Sequence, residues 1–239
     1  MKLAVSSAAF DRLLAAGELT QLEWLELCAT ALDVDGVVFD LAHFPRRDRD
    51  YLAQLKKMSV DGGLTVAALE ANGFFREADD EARATIIADA AMLGAPLVVA
   101  PLPPPADVPA AGYNETVRAA KLAARAAKAT NVTLAIRNAP ATIGASAFEL
   151  KRFAKDIDSA WLRFALDDDV LVGDERHSLE PRVVIAYARS IARLGNVRGF
   201  VCLHYEGDDP QNELPALLER ARRELCERRQ PRLPSSYLV

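Results

Sequence analysis

The stretch Thr133-Leu-Ala-Ile-Arg-Asn-Ala-Pro-Ala-Thr142 holds the residues best placed to do chemistry. A short apolar run ends abruptly in Arg137 and Asn138. In parallel sheets, chemistry gathers at the carboxyl ends of strands. Arg137 there could clamp a carboxylate or a developing oxyanion. It could equally be a solvated loop residue or half of an ion pair. Other apolar runs end the same way. Leu64–Leu69 stops at Glu70, Leu162–Leu166 at Asp167-Asp-Asp169, and Gly199–Leu203 at His204-Tyr-Glu-Gly207. Glu70, His204 and Glu206 are candidates for proton transfer. If strand geometry persists past Leu203, His204 and Glu206 share a face. Asp167 and Asn138 are candidate ligand contacts beside Arg137. His43, after the run Gly36–Leu41, could line the same mouth, since imidazole titrates near neutrality; a structural role is the alternative. The Asp triplet could attract Mg²⁺ or Ca²⁺ but lacks the Gly and distal Glu of an EF-hand loop. His177 lies in a charged stretch and reads as a solvated loop residue.

Short apolar runs alternate with longer helical patterns along the whole chain. Strands are expected at Leu3–Ser6, Gly36–Leu41, Leu64–Leu69, Pro96–Ala100, Val132–Ile136, Leu162–Leu166 and Gly199–Leu203. Helices are expected at Thr20–Leu32, Asp48–Met58, Asp79–Leu93, Asn114–Ala129, Ala147–Ile157, Pro181–Leu194 and Leu214–Arg229. Thr20 with Glu23 makes a capping box, and Ser146 an N-cap. Pro181 suits a first helical turn. The loop Pro101-Leu-Pro-Pro-Pro105 is stiff, because proline fixes φ. Unbroken βα alternation implies a parallel sheet with helical crossovers. One domain spanning 1–239 is expected, closed as a parallel (β/α) TIM-type barrel shortened to about seven strands. A doubly wound open sheet is the competitor. It loses support because no GxGxxG or Walker A sequence is present.

Composition excludes several classes. The 239 residues carry a net charge of −5, with 51% apolar and 26% charged residues, as in ordinary globular proteins. The acidic balance argues against nucleic-acid binding. No run is long enough for a membrane span or a secretory signal, so a cytoplasmic location is expected. Cys28, Cys202 and Cys226 form no CxxC, so neither a disulfide framework nor a zinc knuckle is expected. The Glu/Arg mixture from Glu219 to Arg232 reads as a solvated helix face. The tail from Gln230 to Val239 could pack on a neighbouring copy, which would favour a homo-oligomer.

Four stretches carry a family resemblance. They are Gly36-Val-Val-Phe-Asp-Leu-Ala-His-Phe-Pro45, Leu134-Ala-Ile-Arg-Asn-Ala-Pro140, Phe164-Ala-Leu-Asp-Asp168 and Gly199-Phe-Val-Cys-Leu-His-Tyr-Glu-Gly207. Together they resemble the sugar phosphate isomerase/epimerase family, the TIM barrels related to xylose isomerase and endonuclease IV. That resemblance implies a divalent metal held by a Glu, an Asp, a His or Gln, and a final Glu. This sequence keeps the Asp as Asp167. It has Arg137 at the first Glu position and His204 at the last. Too few residues lie between Asp167 and His204 for two full βα units, so one unit looks deleted. A guanidinium is always protonated and would repel a dication in a low-dielectric pocket. The expectation is therefore no cofactor, with Mn²⁺ or Zn²⁺ returning only if the alignment is shifted. The resemblance implies an isomerase- or epimerase-like barrel that binds a small sugar-like or acidic ligand at its mouth. The alternative is a non-catalytic barrel that binds a ligand or partner.

Overall fold

The computed structural model describes residues 1–106, 109–171, 173–195 and 197–229. Eight parallel strands close into a barrel in sequence order. They are β1 (Lys2–Ser6), β2 (Gly36–Asp40), β3 (Thr65–Glu70), β4 (Leu97–Pro101), β5 (Thr133–Arg137), β6 (Leu162–Asp167), β7 (Val183–Ala188) and β8 (Phe200–Leu203). The closing pair aligns Lys2 with Phe200 and Ala4 with Cys202. Closure leaves no open sheet edge. The helices are α1 (Asp11–Ala15), α2 (Gln21–Thr30), α3 (Arg49–Asp61), α4 (Asp80–Leu93), α5 (Pro109–Thr130), α6 (Ala147–Ile157), α7 (Asp174–Leu179) and α8 (Pro210–Arg229). Among the described residues, no helix is long and apolar enough to cross a membrane.

Local signals set the helix starts. Thr20 and Glu23 form the expected capping box, and Ser146 and Glu149 form a second one. Asp48 and Asp79 cap α3 and α4 with their side chains. Each such cap contributes about 1 kcal/mol. Trp24 on α2 meets Phe39 of β2 edge-on at 5.3 Å and Phe10 at 6.5 Å, locking that helix to the barrel wall.

The strand count differs from the expected seven. The stretch read as a helix, Pro181–Leu194, holds β7 instead. Val183-Val-Ile-Ala-Tyr-Ala188 is nearly all buried. A strand covered on both faces has no polar alternation, so its apolar run looks like a buried helix. Its β-branched and aromatic residues decide for the strand. No βα unit is deleted. The helices are shortened instead: α7 has six residues, and among the described residues the 3₁₀ turn Ile191–Arg193 is the only helical element between β7 and β8. The tail from Gln230 to Val239 lies outside the described residues.

Side chains alternate across each strand, so every second residue points into the barrel. The interior layer contains Ala4, Val38, Ala68, Val99, Ala135, Ala165, Ile185 and Cys202. Most are small, as a closed barrel of this size requires. Two residues further along each strand comes the next inward position. That ring reads Ser6, Asp40, Glu70, Pro101, Arg137, Asp167, Tyr187 and His204. Thus an apolar plug supports a polar ring at the carboxyl ends of the strands.

Gly199 tests the β7 assignment. Its φ is +97°, and a Cβ there would lie 2.5 Å from the Val184 carbonyl oxygen. Gly199→Ala should cost about 1–3 kcal/mol in urea unfolding, with an unchanged m-value. Gly17, at φ +71° with open space around it, should tolerate Ala at lower cost. Equal losses at the two positions would argue against the close β7–Gly199 approach.

Candidate functional site

Arg137 occupies the centre of the polar ring. Its Nη2 donates to Asp167 Oδ2 at 2.8 Å and to His204 Nε2 at 3.1 Å. Its Nε reaches the same Asp167 oxygen at 3.3 Å, and its Nη1 reaches Glu70 Oε1 at 3.2 Å. The guanidinium lies over the Tyr187 ring, 4.3 Å from its centroid. Because Nη2 is a donor, His204 Nε2 accepts, which turns Nδ1 toward Asp169 at 3.6 Å. Ser6 Oγ donates to the other Glu70 oxygen at 2.7 Å. Glu70, Arg137, Tyr187 and His204 line a cavity of about 190 Å³ at this mouth.

The electrostatics follow from depth. Burial pushes the Glu70 carboxyl up from its ordinary value; Arg137 and Ser6 offset this in part, and nearby Asp40 adds to the rise. Burial also pushes the Tyr187 phenol well up, with the Glu70 charge acting the same way. Tyr187 is therefore a neutral hydroxyl at ordinary pH. That hydroxyl is buried near Glu70 but has no hydrogen-bond partner in good geometry among the described residues.

The remaining sequence candidates fall into different places. Asn138 is fully buried and faces the chain, not the cavity. Its Nδ2 donates to the Asp167 carbonyl at 2.9 Å, and its Oδ1 accepts the Asp167 N–H at 2.7 Å. It fixes where Asp167 sits. His43 is not among the cavity-lining residues. Its Nδ1 accepts from Ser7 Oγ and its Nε2 meets Asp11, both at 2.9 Å, so it ties the loop after β2 to the loop after β1. Glu206 lines the rim but does not continue the inward face of His204, because β8 ends at Leu203. Its side chain is 67% exposed and pairs with Arg189 at 2.6 Å, which lowers its pKa. Proton transfer from that position has little support. His177 is exposed, as expected.

Ser6, Asp40 and Tyr187 reach the ring although sequence reasoning did not single them out. The available signal was register: each lies two residues beyond a buried small or β-branched residue on the same strand face. Tyr187 was hidden because its strand was read as a helix.

Asp167, Asp169 and His204 bring ligand atoms within 4.8 Å of one another, a spacing that could hold a cation. Each already meets an arginine. Arg137 takes Asp167 and His204, and Arg189 Nε meets Asp169 at 2.8 Å. A dication sharing these atoms would touch two fixed positive charges. A divalent metal here would have to compete with Arg137 and Arg189 for these atoms.

A closed parallel (β/α)₈ barrel is a TIM-type barrel, and here acids, imidazole and guanidinium gather at its C-terminal mouth. Residues 24–168 match the model of the xylose isomerase-like TIM barrel, and the chain belongs to that family. Solved structures agree on the fold. A probable 3-DHS dehydratase from Bacillus anthracis, involved in petrobactin synthesis, has a TM-score of 0.75 at 13% identity, covering 92% of this chain and 98% of its own. A D-psicose 3-epimerase in the presence of D-fructose gives 0.71 at 16%, covering 96% and 98%. A 3-keto-D-glucoside 4-epimerase from E. coli gives 0.70 at 11%, covering 93% and 99%. No curated protein sequence matches the chain.

The raised Glu70 pKa makes a signed prediction. An unfolded chain releases this proton near 4.5, whereas the buried carboxyl holds it longer. Above 4.5 the folded state therefore binds more protons than the unfolded one, and stability falls as pH rises through the window. Glu70→Gln has no such loss. The Tm difference, wild type minus variant, should shrink steadily from pH 4 to pH 8. A difference that grows with pH would show that attraction to Arg137 outweighs burial.

Proposed function

We propose that the protein binds a small hydroxylated carbonyl compound of the sugar type, without a divalent metal, and moves a proton beside its carbonyl group. The observation that carries this reading is Arg137, held by Glu70, Asp167 and His204 inside the 190 Å³ mouth cavity. Sugar epimerases among the structural neighbours support the ligand class, and the fold alone does not establish it.

In this reading Glu70 is the acid–base group. Its ionised form takes a proton from the carbon next to the carbonyl. The electron pair moves onto the carbonyl oxygen and gives an enediolate. Arg137 has one Nη1 hydrogen left after its four contacts, and it stabilises that oxyanion. Return of the proton to the former carbonyl carbon, with the hydroxyl proton passing between the two oxygens, gives isomerisation; epimerisation takes a second proton donor on the opposite face of the same carbon. Asp167 and His204 hold the guanidinium in place, and Asn138 holds Asp167. Asp40 beside Glu70 helps keep the carboxyl pKa elevated. This places the base closer to neutral pH, where general bases work best.

A second reading is a ligand-binding barrel without turnover. It is favoured by the same pairing: Arg137 engages Glu70, Asp167 and His204 at once, and a purely structural ion pair would look the same.

D-Fructose and D-psicose are the first probes. Wild type should show a Tm increase with either sugar by mass action and interconvert isomers without added metal. Glu70→Gln should bind but lose turnover by about 10²-fold or more. Arg137→Lys keeps the charge but loses the planar fork, and should weaken binding about tenfold. Arg137→Ala leaves buried carboxylates unpaired and should cost about 3–5 kcal/mol of stability. Arg137→Glu should acquire a Mn²⁺-dependent Tm increase that wild type lacks. Binding without turnover in wild type would select the second reading. A Mn²⁺ response in wild type would overturn the metal-free reading.

A further inference from the structure

We propose that the site has a second subsite on the barrel rim, built on Tyr205, which takes the distal end of a neutral, unphosphorylated ligand. This rests on the reading of the mouth as a sugar-type site. A second cavity of about 180 Å³ lies between the loop after β1 and the loop after β8. Ala8, Ala9, Tyr205 and Glu206 line both cavities, so the two lie side by side with these residues where they meet. At ~30 Å³ per liquid water, each cavity has room for about six waters. The central one suits a three-carbon hydroxycarbonyl, and the two in series suit a longer polyol.

Three constraints fix Tyr205 where the cavities meet. Its hydroxyl donates to Glu213 Oε2 at 2.6 Å and accepts the Asp209 N–H at 2.9 Å. Gly207 makes room for the ring. A Cβ there would lie 2.5 Å from Tyr205 Cζ and 2.3 Å from its hydroxyl oxygen. The opposite wall is equally fixed: Phe10 sits against Trp24, and His43 holds Ser7 and Asp11. A groove whose walls are set beforehand loses little entropy on binding. An aromatic ring with its polar tip already satisfied offers its apolar body to the carbon skeleton of a polyol.

Charge sets the ligand class. Glu70, Glu206, Asp11 and Asp208 line the two cavities against Arg137 and Arg12. Arg137 is held by Glu70 and Asp167, and Arg12 by Asp208. A phosphate would have to break one of these pairs or face a carboxylate surplus. A neutral polyol meets neither obstacle.

Calorimetric titration of dihydroxyacetone, D-fructose and D-fructose 6-phosphate tests this. Wild type should bind D-fructose about tenfold more tightly than dihydroxyacetone, and more tightly than the phosphate. Tyr205→Ala and Gly207→Ala should each erase the D-fructose advantage and leave dihydroxyacetone affinity within twofold. Tyr205→Phe keeps the ring and should retain most of the advantage. Arg137→Lys should weaken both neutral probes alike. Equal affinities for the two neutral probes in wild type, or parallel losses in Tyr205→Ala, would overturn the rim subsite while leaving the central site standing. Tighter binding of the phosphate would overturn the neutral-ligand assignment. Binding of none of the probes would overturn the central reading and this one together.

Discussion

Everything at the mouth of the barrel depends on one guanidinium. Arg137 carries a permanent charge into a ring where Asp40, Glu70 and Asp167 are all largely buried. Carboxylates that close together do not all stay ionised unless something positive lies between them. Arg137 supplies that charge, and its planar fork lets one side chain reach Glu70, Asp167 and His204 together. A lysine could balance the charge but not the geometry. Tyr187 completes the seat by presenting its ring face to the cation. The cavity beside this cluster is therefore rigid, with one guanidinium set against several carboxylates.

The quarter of the barrel from β6 to β8 shows a second use of arginine. Its helices are too short to cover the strands as α2 to α6 do elsewhere. Charge pairs tie the shortened segments to the strand ends. Fully buried Asp168 meets Arg176 and Arg193, and Asp169 meets Arg189 and Arg193. Each aspartate of the triplet thus meets arginine, with Asp167 reserved for Arg137. The triplet reads as a cation site in sequence; in the fold its arginine partners tie α7 and the β7–β8 connection to the end of β6. Arg189 extends this network to Glu206 on the rim, which couples the β7 end to one wall of the groove.

Much of the architecture was legible in the chain. Strand-length apolar runs and capping residues placed β1 to β6, β8 and most helices, because those signals are local. The ends of the runs also pointed to Glu70, Arg137, Asp167 and His204. What failed was β7. A doubly buried strand carries no period to read, and its flanking helices had shrunk below the length at which helical periodicity shows. The loss of Tyr187 from the list of candidates followed from that single misreading. Asn138, His43 and Glu206 were recognised as polar residues at strand ends, but their orientation was not available. One turns along the chain, one ties two loops, and one swings out to Arg189.

Sequence by itself determined the alternation of elements, the family and the polar residues that end the apolar runs, Glu70, Arg137, Asp167 and His204 among them. These follow from residue type and short-range order. Tertiary structure decided which polar ends share a cavity. That depends on barrel closure and on register, since a shift of one residue would turn every inward side chain outward. Glu70 and Arg137 are 67 residues apart and meet only because β3 and β5 are placed by the strands between and around them. Burial then set the Glu70 and Tyr187 chemistry, for no residue carries its own solvent exposure in its name.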